Sequence, residues 1–319
     1  MLRNTKGLSS ASGKTTFLQD VVRYRFLFLL TIPGLICYLV FSYAPMFGIV
    51  IAFQDFRLTK GFLGSEWVGF KYFAKFLTNA KALSYVKNTF LLNIYSLIWG
   101  FPLPIIFAIM LANVKNVAYR KVVQTVSFLP HFISVVVVVS LIKTLLHVNE
   151  GLVNKIAIQM GKAPVDYLMS AKYFRTIYVA SSVWQSFGWD SIIYLAAIMG
   201  IDPQLYESAM IDGASSLQRI WHITLPGIRS TIIILLILSI GSLMSSSFDK
   251  VFLLQTTQNL KVSEVISTYV YKRGILASGG GYPEFSYTTA IGLSQSLVNV
   301  TLLVIANGIS RKFMETSLF

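Results

Sequence analysis

Long apolar runs alternate with short polar ones along this chain. A helix needs about 20 mostly apolar residues to cross the hydrocarbon core of a bilayer. Residues 26–50, 89–113, 122–146, 176–199, 228–249 and 287–309 meet that length. The pattern predicts an all-α integral membrane fold with six transmembrane helices. The six-span domain covers 26–312, between an amino-terminal tail at 1–25 and a short carboxyl-terminal tail at 313–319. The first run follows Arg23 and Arg25 and contains Pro33 and Pro45. A cleaved leader has a shorter apolar core and a small-residue cleavage site, so this run reads as an uncleaved anchor. Several runs carry residues that lipid does not tolerate. Pro102 and Pro104 are expected to kink the second. Gln185, Trp189 and Asp190 interrupt the fourth, Ser242, Ser245, Ser246 and Ser247 the fifth, and Asn299 and Asn307 the sixth. Such residues persist where neighbouring helices or a water-filled cavity satisfy them. Their faces are expected to line a path.

Between the fourth and fifth runs, residues 201–227 form a polar insert. Asp202-Pro203 suits a helix start, because Asp accepts from free amides and Pro fits the first helical position. The helix is expected to run to about Ile211 and stop at Gly213, a residue suited to a left-handed cap. Ser215 and Gln218 have the spacing of a capping box for a second short helix, and Pro226 marks the entry to the fifth span. The pattern predicts two short helices with a sharp bend at the membrane surface. On these residues alone an amphipathic interfacial loop fits as well as a docking element. A DNA-reading helix pair does not fit, since neither helix is basic enough to meet phosphates.

Composition agrees with the hydropathy pattern. Apolar residues make up 55% of the 319 and charged residues 13%, with a mean hydropathy of +0.65. A soluble chain of this length needs more polar surface. The net charge of +14 is spread over every loop without a dense patch. It reads as loop and interface anchoring, and no nucleic acid is expected as a partner. The single cysteine, Cys37, excludes an intrachain disulfide and a cysteine metal cluster. His131, His147 and His222 lack metal-ligand spacing. Gly7 through Gly13-Lys14-Thr15 resembles a phosphate loop, but the glycines stand too far apart and no strand precedes them. The 114–121 loop holds Lys115, Arg120 and Lys121 and no acid. It favours a cytoplasmic amino terminus, as do Arg3, Lys6, Lys14, Arg23 and Arg25. Residues 200–227 and both termini then lie in the cytoplasm. The outer loops are also basic, through Arg57, Lys60, Lys71, Lys75, Lys81, Lys87, Lys155, Lys162, Lys172, Arg175, Lys261, Lys272 and Arg273.

The insert resembles the cytoplasmic signature loop of permease subunits in binding-protein-dependent ABC importers. That signature reads Glu-Ala-Ala, two residues, Asp-Gly-Ala, then a segment ending Ile-x-Leu-Pro. It is matched at Glu207, Ala209, Asp212, Gly213, Ala214, Ile223, Leu225 and Pro226, and departs at Ser208. A further proline often follows the Leu-Pro pair by five residues, where this chain has Thr231. Arg120, Leu129-Pro130, Ser134, Gly151, Asn154, Phe248-Asp249, Val251-Phe252, Gly281 and Glu284-Phe285 ahead of Tyr287 and Ala290 resemble the carbohydrate-uptake branch, and permeases for polysaccharide fragments most of all. The resemblance implies that about Pro203–Asp212 is a coupling helix seated in a groove of an ATPase. Glu207, Ser208, Ala209, Asp212, Gly213, Ala214, Arg219, Leu225 and Pro226 would form that coupling element. It also implies a second, similar permease subunit, two ATP-binding subunits that hold ATP and Mg, an extracellular or periplasmic solute-binding protein and a bacterial inner-membrane location. The chain itself would carry no cofactor and no catalytic residue.

The resemblance implies further that the fourth and fifth spans line the sugar path. Ser182, Gln185, Ser186 and Trp189 are spaced to share a helix face, as are Ser242 and Ser246. Helix–helix packing accounts for the serines equally well. Asp190 inside the bilayer is a functional candidate, or a partner for Lys143. Basic outer loops attract anions, which suggests an oligosaccharide with uronates such as a pectin or alginate fragment. Anchoring to lipid explains the same lysines. Rival classes are a related permease for peptides or phosphate esters, an intramembrane enzyme and a channel. For the last two, no catalytic set and no filter sequence is visible.

Overall fold

A computed structural model describes residues 24–276, 282–314 and 318. The phosphate-loop look-alike and most of both tails lie outside the described residues. The chain divides into two units, residues 1–50 and 51–319. In the first, α1 (Arg25–Tyr38) passes into a π-helical turn (Leu39–Tyr43) and then a 3-10 stretch (Ala44–Phe53) whose last three residues belong to the second unit. Pro45 has no N–H for the regular ladder, and the pitch changes where it stands. No residue of α1 is buried, and a helix apolar on all sides suits lipid.

The second unit continues with a two-stranded antiparallel ribbon, β1 (Gln54–Asp55) with β2 (Glu66–Trp67), and a short helix α2 (Lys71–Leu77). α3 (Ala82–Gly100) and α4 (Pro102–Ala112) together make a 31-residue helix. Pro102 and Pro104 interrupt its hydrogen bonding at Phe101 without a sharp bend. Asn116 caps α5 (Val117–Phe128) by accepting from the Tyr119 N–H at 3.0 Å. The chain continues through Leu129–Phe132 and meets α6 (Val135–Leu145) at 96°. Ser134 starts α6 by accepting from the Val137 N–H at 3.4 Å, so the third run is two helices and not one rod. α7 (Leu152–Gln159) leads to α8 (Ala171–Met199). α8 has 29 residues, roughly 43 Å at helical rise. α9 (Pro203–Ile211) and α10 (Ser216–Arg219) form the insert. The segment Ser216–Gly227 then meets α11 (Arg229–Gly241) at 62°. α12 (Phe248–Leu254), α13 (Ile266–Gly274) and α14 (Phe285–Met314) complete the chain.

Among the described residues three helices are long and apolar enough to cross a membrane: Arg25–Phe53, Ala82–Ala112 and Phe285–Lys312. The number rises to five when each bent pair counts as one span. α8 has the length but carries a polar face. It packs against α3, α4 and α5. Gly188 permits the approach to α5, because a Cβ there would overlap the Ser127 carbonyl. One apolar cluster joins Ala108, Leu111, Tyr194, Ile198 and Ile228. Another joins Leu92, Val139, Tyr178, Val251 and Val265, and a third is built on Phe76, Tyr85, Tyr269 and Tyr287.

The fifth run also departs from a single rod. After Gly241 the backbone leaves the helix until Phe248. Irregular backbone at membrane depth needs partners from elsewhere. Asn93 Nδ2 donates to the Leu243 carbonyl at 2.9 Å, and Gln295 Nε2 to the Met244 carbonyl at 2.6 Å. The Met244 N–H donates to Asn299 Oδ1 at 3.0 Å, and Asn299 Nδ2 donates to Ser245 Oγ at 2.9 Å. Asn299, expected to line a path, instead holds the break in the neighbouring span. Asn307 is buried and accepts from the Leu318 N–H at 2.8 Å.

Candidate functional site

The insert closes its own backbone. Asp202 accepts from the Gln204 N–H at 2.9 Å, and Pro203 opens α9. At the other end the Ala214 N–H reaches the Ala209 carbonyl at 2.8 Å and the Gly213 N–H the Met210 carbonyl at 3.1 Å. This paired pattern is the Schellman stop, which needs a left-handed residue; Gly213 supplies it with φ +78°. The capping box is present: the Gln218 N–H donates to Ser215 Oγ at 3.4 Å and the Ser215 N–H to Gln218 Oε1 at 2.7 Å. The hydroxyls of Tyr206 and Thr224 lie 3.0 Å apart and tie α9 to the segment that follows. Arg219 donates to Ser216 Oγ at 3.1 Å. Ala209, Ala214 and Leu225 are half-buried, whereas Glu207, Ser208, Asp212, Gly213 and Pro226 are exposed. Ile211 is 86% exposed, with Leu205, Met210 and Trp221 also open. A cluster of exposed apolar residues beside two carboxylates is the composition of an interaction surface.

A cavity of about 360 Å³, lined by apolar and polar side chains, lies among α3, α4, α8 and α11. Ser186, Asp190 and Ser242 line it as the sequence suggested, together with Asn93, Ser96, Ser239, Ser245 and Tyr194. Ser182, Gln185, Trp189 and Ser246 do not line this cavity. Ser182 Oγ and Gln185 Oε1 both accept from Lys250 Nζ, at 3.1 and 2.9 Å, and Gln185 Nε2 donates to the Ile133 carbonyl at 2.8 Å. Trp189 stacks on His131, with ring centroids 4.6 Å apart and planes within 2°. Phe128 and Phe132 meet Trp189 edge-on. Ser246 Oγ lies 3.2 Å from Ser267 Oγ and not in the cavity. Asp190 interacts with Ser186 and His131. It forms no ion pair with Lys143, because the bend in the third span brings His131 to that face of α8.

Two participants were missed from sequence. Lys250 directly follows Phe248-Asp249, just beyond the fifth apolar run, and is not singled out. His131 reads as an interfacial residue beside a proline. The break in one span and the bend in another turn both towards α8. No run pattern signals those reversals.

The basic residues of the loops between spans are partly neutralised. Arg57 pairs with Asp55 at 3.6 Å, Lys75 with Glu284 at 2.9 Å and Lys272 with Glu264 at 3.1 Å. The Tyr72 hydroxyl donates to Asp55 Oδ1 at 2.5 Å. That bond holds the Asp55 carboxyl below its usual range against partial burial, with Arg57 and Lys71 adding to it.

The family of the binding-protein-dependent transport system inner membrane component matches residues 100–314. The polygalacturonan/rhamnogalacturonan transport system permease protein YteP of Bacillus subtilis is 42% identical over 299 residues, 94% of this chain and 92% of that protein. Among solved structures, a bacterial ABC transporter involved in import of the acidic polysaccharide alginate contains a chain that superposes with a TM-score of 0.83. It is 37% identical, over 93% of this chain and 99% of that one. A second structure, of a bacterial alginate ABC transporter in complex with an alginate pentasaccharide-bound periplasmic protein, gives a TM-score of 0.84 at 36% identity, over 95% and 99%. Apolar spans, a self-closed insert carrying the signature residues, and likeness over nearly the full length converge: the chain belongs to the binding-protein-dependent transport system inner membrane components, as a multi-pass permease component of an ABC importer.

Proposed function

We propose that this permease carries acidic oligosaccharides inward as one of two similar membrane subunits. The cavity between α3, α4, α8 and α11 carries the proposal. Its hydroxyls, its amide and one carboxylate are groups that pair with sugar hydroxyls. The relatives that handle polygalacturonan and alginate support an acidic solute. In this reading the chain has six spans: Arg25–Phe53, Ala82–Ala112, the bent pair of Val117–Phe132 with α6, α8, the fifth run at 228–249 that contains α11, and α14. Both termini face the cytoplasm. α9 is the coupling helix. Glu207 is its charged contact with an ATPase subunit, Ser208 and Asp212 flank that contact, and Gly213 holds the bend. Ala209, Ala214, Arg219, Leu225 and Pro226 brace it from behind. Two ATPase subunits bind ATP and Mg, and a solute-binding protein delivers sugar from outside. Closure of the ATPases pushes the inserts together and rocks the two permeases around the cavity.

Reconstitution of the complete transporter with its binding protein tests this. Loaded binding protein is expected to stimulate ATP hydrolysis, and Glu207→Ala to abolish that stimulation while leaving assembly intact. Full stimulation in the variant refutes the contact assigned to Glu207. Uptake of matched acidic and neutral oligosaccharides tests the solute class, and a preference for the neutral sugar refutes it.

A further inference from the structure

Lys250 stands outside the cavity and has no catalytic or coupling task. Its side chain is 3% exposed. Nζ donates to Ser182 Oγ at 3.1 Å and Gln185 Oε1 at 2.9 Å, and both acceptors are neutral. Gln185 is held in that orientation by the bond from its Nε2 to the Ile133 carbonyl at 2.8 Å. Among the described residues the ion pairs are Arg57–Asp55, Lys75–Glu284 and Lys272–Glu264, so Lys250 has no counter-charge. The neighbouring Asp249 is exposed. A buried ammonium without a carboxylate is costly, and an apolar residue of similar volume is the cheaper way to fill such a site. Intramembrane charges of this kind are found at solute and ion pathways.

We propose that Lys250 is the group in the transport path that recognises a carboxylate of the passing oligosaccharide, an inference that rests on the acidic-solute reading above. Ser182 lies one turn of α8 from Ser186, about 6 Å by helical rise, and Ser186 lines the cavity. α8 runs on from there towards the insert. A solute entering from the end of α8 away from the insert therefore passes the level of Ser182 and Gln185, where Lys250 is held, before it reaches Ser186. An ammonium has three donors, and two hold neutral acceptors. An incoming carboxylate displaces Ser182 or Gln185 and gains a charge-assisted bond, the stronger kind. Asp190, further along the same helix, repels a carboxylate and accepts from hydroxyls. The pair thus orients the sugar, with its acid group towards Lys250 and its hydroxyls in the cavity.

The test uses the complete transporter in proteoliposomes, with an oligogalacturonate and its methyl ester at concentrations that saturate the binding protein. Lys250→Gln is expected to slow uptake of the acid about tenfold, the scale of one charge-assisted bond, and to leave the ester unchanged. An equal loss of both sugars, or no loss, overturns the role of Lys250 while the solute class stands. Wild-type protein that carries both sugars equally overturns the acidic reading, whatever the variant does. Where Lys250→Gln fails to assemble, Gln185→Glu keeps the lysine and gives it an internal carboxylate. The same selective loss is expected, and an unchanged acid-to-ester ratio overturns the proposal.

Discussion

Two polar interruptions flank α11, and they are closed by opposite means. The insert at 202–215 satisfies its backbone from within: Asp202 at one end, the Gly213 stop at the other, and the Ser215–Gln218 box beyond. The break at 242–247 lies in the bundle, and Asn93, Gln295 and Asn299 close it from α3 and α14. Water reaches the first and competes for every bond, so each cap adds little. At the second, Leu243 and Met244 are buried inside the bundle, and an unmet amide or carbonyl there has no ready substitute partner. Local closure makes an element that keeps its own shape. Remote closure makes one that holds its neighbours together.

The contrast is broken most directly at Asn299. Asn299→Leu strands the Met244 N–H and is expected to cost about 1–3 kcal/mol, read as a lower unfolding midpoint of the purified complex in detergent. Asn93→Leu added to it should give a non-additive loss, since both serve one break. An unchanged midpoint for both variants would falsify the remote-closure account. Gly213→Val comes next. A left-handed conformation costs an L-residue about 1–2 kcal/mol, and the strain is confined to the insert. Binding-protein-stimulated ATP hydrolysis is expected to fall while the unfolding midpoint holds; a shifted midpoint would mean that the insert is not autonomous. Ser215→Ala is the mildest. Loss of one cap is worth about 1 kcal/mol and should appear as faster amide exchange over 215–219 alone, with protection elsewhere unchanged.

The same division decides what the sequence discloses. Asp202-Pro203, Gly213 and Ser215–Gln218 sit within a few residues of the groups they satisfy, so the bent helix pair is readable in order along the chain. Its polarity between two apolar runs is equally plain. The second and sixth spans are legible as long apolar helices. The break after Gly241 is not, because its partners lie 51 to 150 positions away. Asn299 therefore reads as path-lining when its work is structural. Lys250 and His131 are hidden for the same reason: each reaches α8 only because another span breaks or bends. Ser186 and Asp190 line one cavity because they share one uninterrupted helix, where spacing does predict a common face.

A helix stop that engages its own amides and carbonyls leaves a docking partner nothing to read but side chains. In α9 the exposed ones include Leu205, Glu207, Met210 and Ile211, whose backbones serve the helix and its caps while their side chains do not. Shape and address are thus written in different residues. A lineage can change which motor it recruits by substituting the exposed set, while the bend that transmits the stroke is inherited unaltered.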